Sequence, residues 1–208
     1  LDSSAEHIGA VNTIVVDEKK QLIGYNTDGV GALKALEAAG TKLQGARVLL
    51  IGSGGAARAI AFTLALQGDI ASLTIAGVEM DQLERLVSDV AAKSPIPVRG
   101  IRGEVDHYQK ETEQINILIN ASPLGMSPRI DATPVPSQLL HTGITVFDIV
   151  YNPLKTRLLQ EAEAQGCKVI PGIEMFVQQA VAQFELWTGT AAPVELMRQV
   201  VLNSLQGV

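Results

Sequence analysis

The chain has 208 residues, with 16 Lys and Arg against 22 Asp and Glu, and a formal net charge of −6 at pH 7. No basic stripe suggests a nucleic-acid partner, and no apolar run approaches the length of a membrane span. Its one cysteine, Cys167, excludes an internal disulfide and fits a reducing, cytoplasmic compartment, and three histidines without metal-ligand spacing predict no metal site.

The first 40 residues predict a hairpin and a helix. Two β-rich segments, 11–16 and 22–26, flank a polar turn, which is typical of a short hairpin. Helical spacing follows and should end at Gly40. Spacing alone favours Asp28 as the N-cap of this helix and Asn12 as a residue that closes a turn. A start at Leu1 rather than Met suggests a piece of a longer polypeptide.

Residues 48–60 contain the most specific local signal in the chain. Four aliphatic residues predict a buried parallel strand, and Gly52, Gly54 and Ala57 then follow the G-x-G-x-x-G/A spacing of a dinucleotide-binding turn. Gly52 permits a tight turn, Gly54 lets a pyrophosphate approach the backbone, and Ala57 lets the next helix pack on the strand. A glycine triplet alone is also consistent with a plain tight turn.

Strands and helices alternate over the next 110 residues. Apolar runs at 73–76, 96–101, 115–120, 144–149 and 167–170 predict strands, while 80–93 and 155–165 predict helices. The alternation predicts an α/β fold with a doubly wound parallel sheet, a Rossmann-like dinucleotide-binding domain.

A proline-rich loop and two C-terminal helices complete the prediction. The loop 121–128 follows a strand, so it is either one wall of the ligand crevice or a plain connection. Helical spacing predicts a helix over 173–187 with Phe176, Val177, Ala180, Val181 and Phe184 on its apolar face, and Pro193 begins the last helix. On spacing alone, Gln179 is expected on the surface.

Six blocks, in order, resemble the signatures of the shikimate dehydrogenase family. They lie at residues 9–13, 24–29, 51–58, 119–126, 147–153 and 172–180. The resemblance implies a cofactor domain at 41–172, a remnant of the substrate domain at 1–40, and helices returning to that domain at 173–208. It also implies NADPH-dependent reduction of 3-dehydroshikimate to shikimate, a step in chorismate and aromatic amino acid biosynthesis.

The resemblance also implies roles for particular residues. Asp28 matches the carboxylate of a catalytic Lys/Asp pair, and the carboxylate would hold the ammonium and accept a substrate hydroxyl. The substrate-binding set would be Asn12, Asp28, Tyr151 and Gln179. The cofactor-binding set would be Gly52, Ser53, Gly54, Gly55, Ala56, Ala57, Ile149 and Gly172.

Two departures separate this chain from the pattern it resembles. The block that carries the family's catalytic lysine is absent, so the isolated chain is expected to bind nucleotide but turn over poorly. NADP-preferring members clamp the 2′-phosphate with two arginines, where this chain has Val78 and Gln82, followed by Arg85 one turn later. Glu79 could instead accept a hydrogen bond from a 2′-hydroxyl, so NADP is implied and NAD stays open.

Three functions are therefore consistent with the sequence. The first is a shikimate dehydrogenase, from a single-function enzyme or a fusion to dehydroquinate dehydratase. The second is an NAD-dependent quinate or shikimate dehydrogenase. The third is a non-catalytic nucleotide-binding module, because both the lysine and the arginine clamp are missing.

Overall fold

The computed structural model describes residues 1–206, and its N-terminal part is a hairpin between two helices. The elements are α1 (Ser3–Ile8), β1 (Thr13–Val16), β2 (Leu22–Tyr25) and α2 (Asp28–Ala38). The two strands pair antiparallel, with Thr13 opposite Tyr25, as the sequence predicts. Helix α1 was not predicted. It begins because the Asp2 carboxylate accepts a hydrogen bond from the Ala5 N–H, and it ends at Gly9 in the left-handed region.

Six parallel strands form the central sheet, which confirms the doubly wound prediction. They are β3 (Arg47–Ile51), β4 (Ser72–Gly77), β5 (Val98–Arg102), β6 (Ile117–Asn120), β7 (Thr145–Asp148) and β8 (Lys168–Ile170). Their order across the sheet is β5-β4-β3-β6-β7-β8, so β3 lies between β4 and β6. The strand order therefore reverses at β3, and in such sheets the crevice at this switch point binds the ligand.

Helices cover both faces of the sheet. They are α3 (Gly55–Gln67), α4 (Met80–Ala91), α5 (Val105–Thr112), α6 (Arg157–Ala164), α7 (Gly172–Thr188) and α8 (Val194–Gln206). Alternate side chains of β3 enter the two cores: Val48 and Leu50 pack with α3 and α4, while Leu49 and Ile51 pack with α6. This double burial is why the strand reads as a continuous aliphatic run.

Helix α2 packs on α3 and α7, and two glycines make the contacts close. A Cβ at Gly29 would lie 2.6 Å from the Ala59 carbonyl oxygen of α3, and one at Gly31 would lie 2.8 Å from the Gln179 backbone nitrogen of α7. Larger residues at either position would push the helices apart. The glycines therefore fix where the N-terminus of α2 lies relative to α3 and α7.

Two helical predictions need correction. Helix α5 was not predicted because only Tyr108 and Thr112 of its eight residues are buried, which leaves almost no apolar periodicity. In α7 the large buried side chains are Ile173, Met175, Val177 and Val181, whereas Phe176 and Phe184 are half-buried. Within residues 1–206 no helix is both long and apolar enough to cross a membrane.

Candidate active site

The glycine turn lies at the carboxyl end of β3, between the ends of β4 and β6. The Gly52 N–H donates to the Ala76 carbonyl, and the Ala121 N–H donates to the Ile51 carbonyl, both over 2.7 Å. Gly52 has a φ of +119°, and a Cβ there would lie 2.6 Å from the Ala121 carbonyl oxygen. This position therefore requires glycine, for its conformation and for its space.

Beyond the turn, the N-terminus of α3 is open. The N-cap residue of the helix is Gly54, which has no side chain to bond the first N–H groups. A Cβ at Gly54 or Gly55 would meet no atom within 4 Å. Ala57, in contrast, is fully buried beneath the helix. Free N–H groups facing open space at a helix N-terminus suit an anion. The turn thus fits the pyrophosphate of a dinucleotide, and larger residues at 54 and 55 would fill the cradle.

Three cavities border this cradle. One, of about 460 Å³, contacts Ser53, Gly54 and Gly55 together with Arg58 and Arg85. The other two lie at the ends of the strands. One, of about 450 Å³, is bounded by the ends of β3 and β4 and includes Ser53 and Glu79. The other, of about 580 Å³, lies between Gly54, Ser122, Ile149 and Tyr151. The predicted cofactor residues 52–56 line one or both of them. A pyrophosphate on the cradle would therefore have an apolar-walled cavity on each side.

Gly172 lines none of these cavities, and its role is indirect. A Cβ at this position would clash with the carbonyl group of Ile149, so glycine lets the start of α7 approach the loop that follows β7. Ile149 itself borders the larger cavity. Of these two predicted cofactor residues, Ile149 therefore lies at the cavity and Gly172 lies directly behind Ile149.

Asn12 and Asp28 are hydrogen-bonded to each other. The Asn12 Nδ2 donates to the Asp28 Oδ1 over 2.9 Å, and the Asn12 Oδ1 accepts from the Thr27 N–H over 3.0 Å. Asn12 is exposed and Asp28 is half-buried. The two residues come from the start of the hairpin and the start of α2, so the fold brings them together from 16 residues apart.

The interpretation of Asp28 as a helix cap is wrong. Helix α2 begins at Asp28 itself, and its N-cap position is Thr27, whose side chain makes no capping bond. Burial raises the pKa of the Asp28 carboxyl, while the hydrogen bond from Asn12 lowers it to a smaller extent. Within residues 1–206 no lysine is hydrogen-bonded to Asp28. The carboxylate is thus held by Asn12 and keeps an oxygen available to a ligand.

Gln179 and Tyr151 approach this region from two other segments. Gln179 is half-buried on α7 rather than on the open surface, and its Oε1 lies 3.4 Å from the Thr27 hydroxyl. Tyr151 follows β7, is 40% exposed, and its ring lies 4.6 Å from that of Phe176. Gln179 therefore joins the group around Asn12 and Asp28, while Tyr151 borders the larger cavity.

Sequence reasoning missed a buried polar cluster under these loops. Asn120 and Asp148, the last residues of β6 and β7, are register partners, and the Asn120 Nδ2 donates to the Asp148 Oδ1 over 2.9 Å. The other carboxylate oxygen accepts from the Thr156 hydroxyl over 2.6 Å, and the Val150 N–H donates to Oδ1. A polar residue ending each of two apolar strands was the signal that could have predicted this cluster.

Burial dominates the electrostatics of Asp148. The side chain is inaccessible to solvent, and burial raises the pKa of Asp148 to about 6 although the bonds from Thr156, Val150 and Asn120 oppose the shift. The cluster joins the loop after β6 to the loop after β7. Since Ser122 and Ile149 lie in those loops, the cluster fixes the walls of the larger cavity.

The candidate site contains no metal-binding group. Within the described part of the chain, no three His, Cys, Asp or Glu residues lie together in a way that could hold a metal ion. The polar groups at the site are those of amides, hydroxyls and single carboxylates.

Comparison with known proteins decides the family. Residues 172–202 match the family described as Shikimate 5'-dehydrogenase C-terminal domain. A protein of Methanosarcina acetivorans named shikimate dehydrogenase (NADP(+)) is 46% identical over 206 residues, which cover 99% of this chain and 72% of that protein. The chain belongs to the shikimate dehydrogenase family.

Solved structures of the family share the fold described above. The Listeria monocytogenes shikimate 5-dehydrogenase, in complex with shikimate and NAD, is 33% identical with a TM-score of 0.91, covering 96% of this chain and 70% of that one. The Thermus thermophilus enzyme, in complex with NADP(H) and shikimate, is 32% identical with a TM-score of 0.84, covering 98% and 72%. Shikimate dehydrogenases thus match nearly the whole of this chain.

Proposed function

We propose that this chain is the part of a shikimate dehydrogenase that binds the nicotinamide cofactor and one side of the substrate. The reaction is the NADPH-dependent reduction of 3-dehydroshikimate to shikimate, as the name of the Methanosarcina relative implies. The observation that carries the proposal is the pairing of Asn12 with Asp28 beside α3, the helix whose N-terminus forms the pyrophosphate cradle.

The glycine turn would hold the cofactor. Gly52, Ser53, Gly54, Gly55 and Ala56 would receive the pyrophosphate, because the backbone there is open and lies at a positive helix end. The nicotinamide would then occupy the larger cavity beside Ile149. A bound nicotinamide supplies or accepts a hydride.

Asp28 would act on the substrate hydroxyl. Its carboxylate can accept a hydrogen bond from that hydroxyl, and the bond from Asn12 fixes the orientation of the carboxylate. Gln179 would add a further polar contact, since its side chain lies against Thr27. Tyr151 would close over the substrate from the loop after β7. A ring carrying several hydroxyls suits this set of amide, carboxylate and phenol groups.

The proposed division of the chain follows from these roles. Residues 1–40 and 173–208 would face the substrate, and residues 41–172 would hold the cofactor. Helices α2 and α7, which carry Asp28 and Gln179, pack against each other, and α2 also packs on α3 of the cofactor-binding part. We further propose a cytoplasmic location, which suits a buried Cys167 with a free thiol. Fusion to dehydroquinate dehydratase stays a prediction.

The test is Asp28→Asn in the product of the complete gene. Shikimate oxidation, followed by absorbance of the reduced nicotinamide, should lose at least about a hundredfold in kcat, because the amide cannot take the place of the carboxylate. Affinity for the cofactor, measured by calorimetry, should stay the same. The matched control is Glu37→Gln, which removes an exposed carboxylate near the other end of α2. Unchanged turnover of Asp28→Asn would contradict the proposal.

A further inference from the structure

The cavity at the end of β4 is lined by groups that suit a hydroxyl better than a phosphate. Glu79 is the exposed N-cap residue of α4, and its side chain makes no capping bond. The preceding Val78 is 72% exposed. Gln82, one turn into the helix, accepts a hydrogen bond from the Ser53 hydroxyl over 3.0 Å. One carboxylate and two uncharged side chains therefore surround this end of the cavity.

The position of Glu79 is the one that contacts the adenosine ribose in doubly wound sheets. Strand β4 is the neighbour of β3, the strand that ends in the glycine turn. In such sheets an acidic residue at the end of this neighbouring strand accepts from the ribose 2′-hydroxyl, whereas an arginine there accommodates a 2′-phosphate. With the pyrophosphate on the cradle, the ribose would lie next to Glu79, which borders the same cavity as Ser53 and Gly54.

The nearby arginines do not supply the missing clamp. Arg58 is ion-paired with Asp89 over 2.8 Å, and its guanidinium also lies over the Phe62 ring. Arg85 donates its Nε to the Asp81 carbonyl of its own helix, and with Arg58 it borders a separate cavity that does not include Glu79. Among the described residues, Arg129 is the one cationic side chain that lines the cavity with Glu79, and it comes from the loop after β6. Glu79 instead follows β4 directly and is the N-cap residue of α4, so a 2′-phosphate at the end of β4 would meet its carboxylate.

We propose that Glu79 makes this chain select NADH over NADPH. The inference rests on the proposed dehydrogenase function and keeps its substrate, but it replaces the NADPH of that proposal, which is the cofactor in the names of the curated relatives, by NADH. The carboxylate accepts a hydrogen bond from the 2′-hydroxyl of the adenosine ribose, and it repels a 2′-phosphate at the same place. The residues present thus fit the pyrophosphate of either cofactor but not the extra phosphate of NADP.

Calorimetric titration of the 208-residue chain with NADH and with NADPH tests the proposal directly. NADH should bind about tenfold more tightly or better, which corresponds to one hydrogen bond to a charged group. Glu79→Gln should reduce the ratio of the affinity for NADH to that for NADPH. The change should come chiefly from tighter NADPH binding, because the amide keeps an acceptor and loses the charge. Adding arginines by Val78→Arg with Gln82→Arg should reverse the preference.

The control and the outcomes separate this proposal from the one it rests on. Glu84→Gln removes a carboxylate from the exposed side of the same helix and should leave the ratio unchanged. Equal or tighter binding of NADPH by the unaltered chain would overturn the selection of NADH. An unchanged ratio in Glu79→Gln would overturn the role of that residue. Binding of neither cofactor would instead refute the dinucleotide site and hence the proposed function.

Discussion

Protonation of Asp148 should change the stability of the fold in a direction opposite to that of most carboxylates. In an unfolded chain an aspartate has a pKa of about 4, whereas burial raises the pKa of Asp148 to about 6 in the fold. Between these two values the folded state binds the proton more tightly than the unfolded state. The contribution of Asp148 to stability is therefore greatest below pH 4 and falls as the pH rises towards 6.

The size of the effect follows from the two pKa values. A change of one in pKa corresponds to about 1.4 kcal/mol, so ionisation of Asp148 should lower the free energy of unfolding by about 2 kcal/mol between pH 4 and pH 7. Asp148→Asn removes the titration. Its amide oxygen can still accept from Asn120 and the Val150 N–H, and the Thr156 hydroxyl can turn to accept from the new amide.

The assay is denaturant unfolding of the chain and of Asp148→Asn, followed by circular dichroism across this pH range. The free energy of unfolding of the unaltered chain minus that of the variant should fall by about 2 kcal/mol as pH rises. Asp106→Asn, an exposed change in the first turn of α5, should give a difference constant within about 0.5 kcal/mol. A difference for Asp148→Asn that rises with pH would refute the reasoning, since the hydrogen bonds would then outweigh burial.

Three further predictions concern the same loops and the glycine turn. Thr156→Val removes a hydrogen-bond donor to Asp148 and the N-cap of α6. It should therefore lower the free energy of unfolding by about 1–3 kcal/mol. It should also raise the pKa of Asp148 further, which the pH dependence of stability would report. Gly52→Ala should cost more than about 1 kcal/mol in thermal or denaturant unfolding, because the new Cβ meets the Ala121 carbonyl. Gly54→Ala should cost less than about 1 kcal/mol in stability, since Gly54 is the N-cap of α3. It should also weaken dinucleotide binding by calorimetry, since its Cβ points into the open cradle; equal binding by this variant would contradict the position given to the pyrophosphate.

The sheet could be predicted from the sequence because burial on both faces leaves a plain signal. Runs such as Val48-Leu49-Leu50-Ile51 have few other interpretations, and the glycine spacing after this run indicates a tight turn into a helix. Helix α5 has no such signal, since it is stabilised by two buried side chains, Tyr108 and Thr112, and is otherwise solvated. Local periodicity predicts an element only where its packing is repetitive.

The site was harder to predict because its contacts join distant residues. From the sequence alone Asp28 is interpreted as a helix cap. Only the contact between the start of the hairpin and the start of α2 shows that Asn12 holds its carboxylate. In the same way, Asn120 and Asp148 are 28 residues apart and become partners through strand register. Contacts between side chains of different elements can be predicted only once the topology is known.

Residues at the carboxyl ends of the parallel strands have different proposed roles. Gly52, after β3, would admit a phosphate, and Glu79, after β4, would contact the ribose. Asp148, at the end of β7, holds two loops together. Asp148 is fully buried and Gly52 is held between two neighbouring strand ends, so changes there should affect folding as well as binding. Glu79 and Val78 are exposed. We therefore expect that substitution at the end of β4 can change the choice of cofactor without disturbing the buried core.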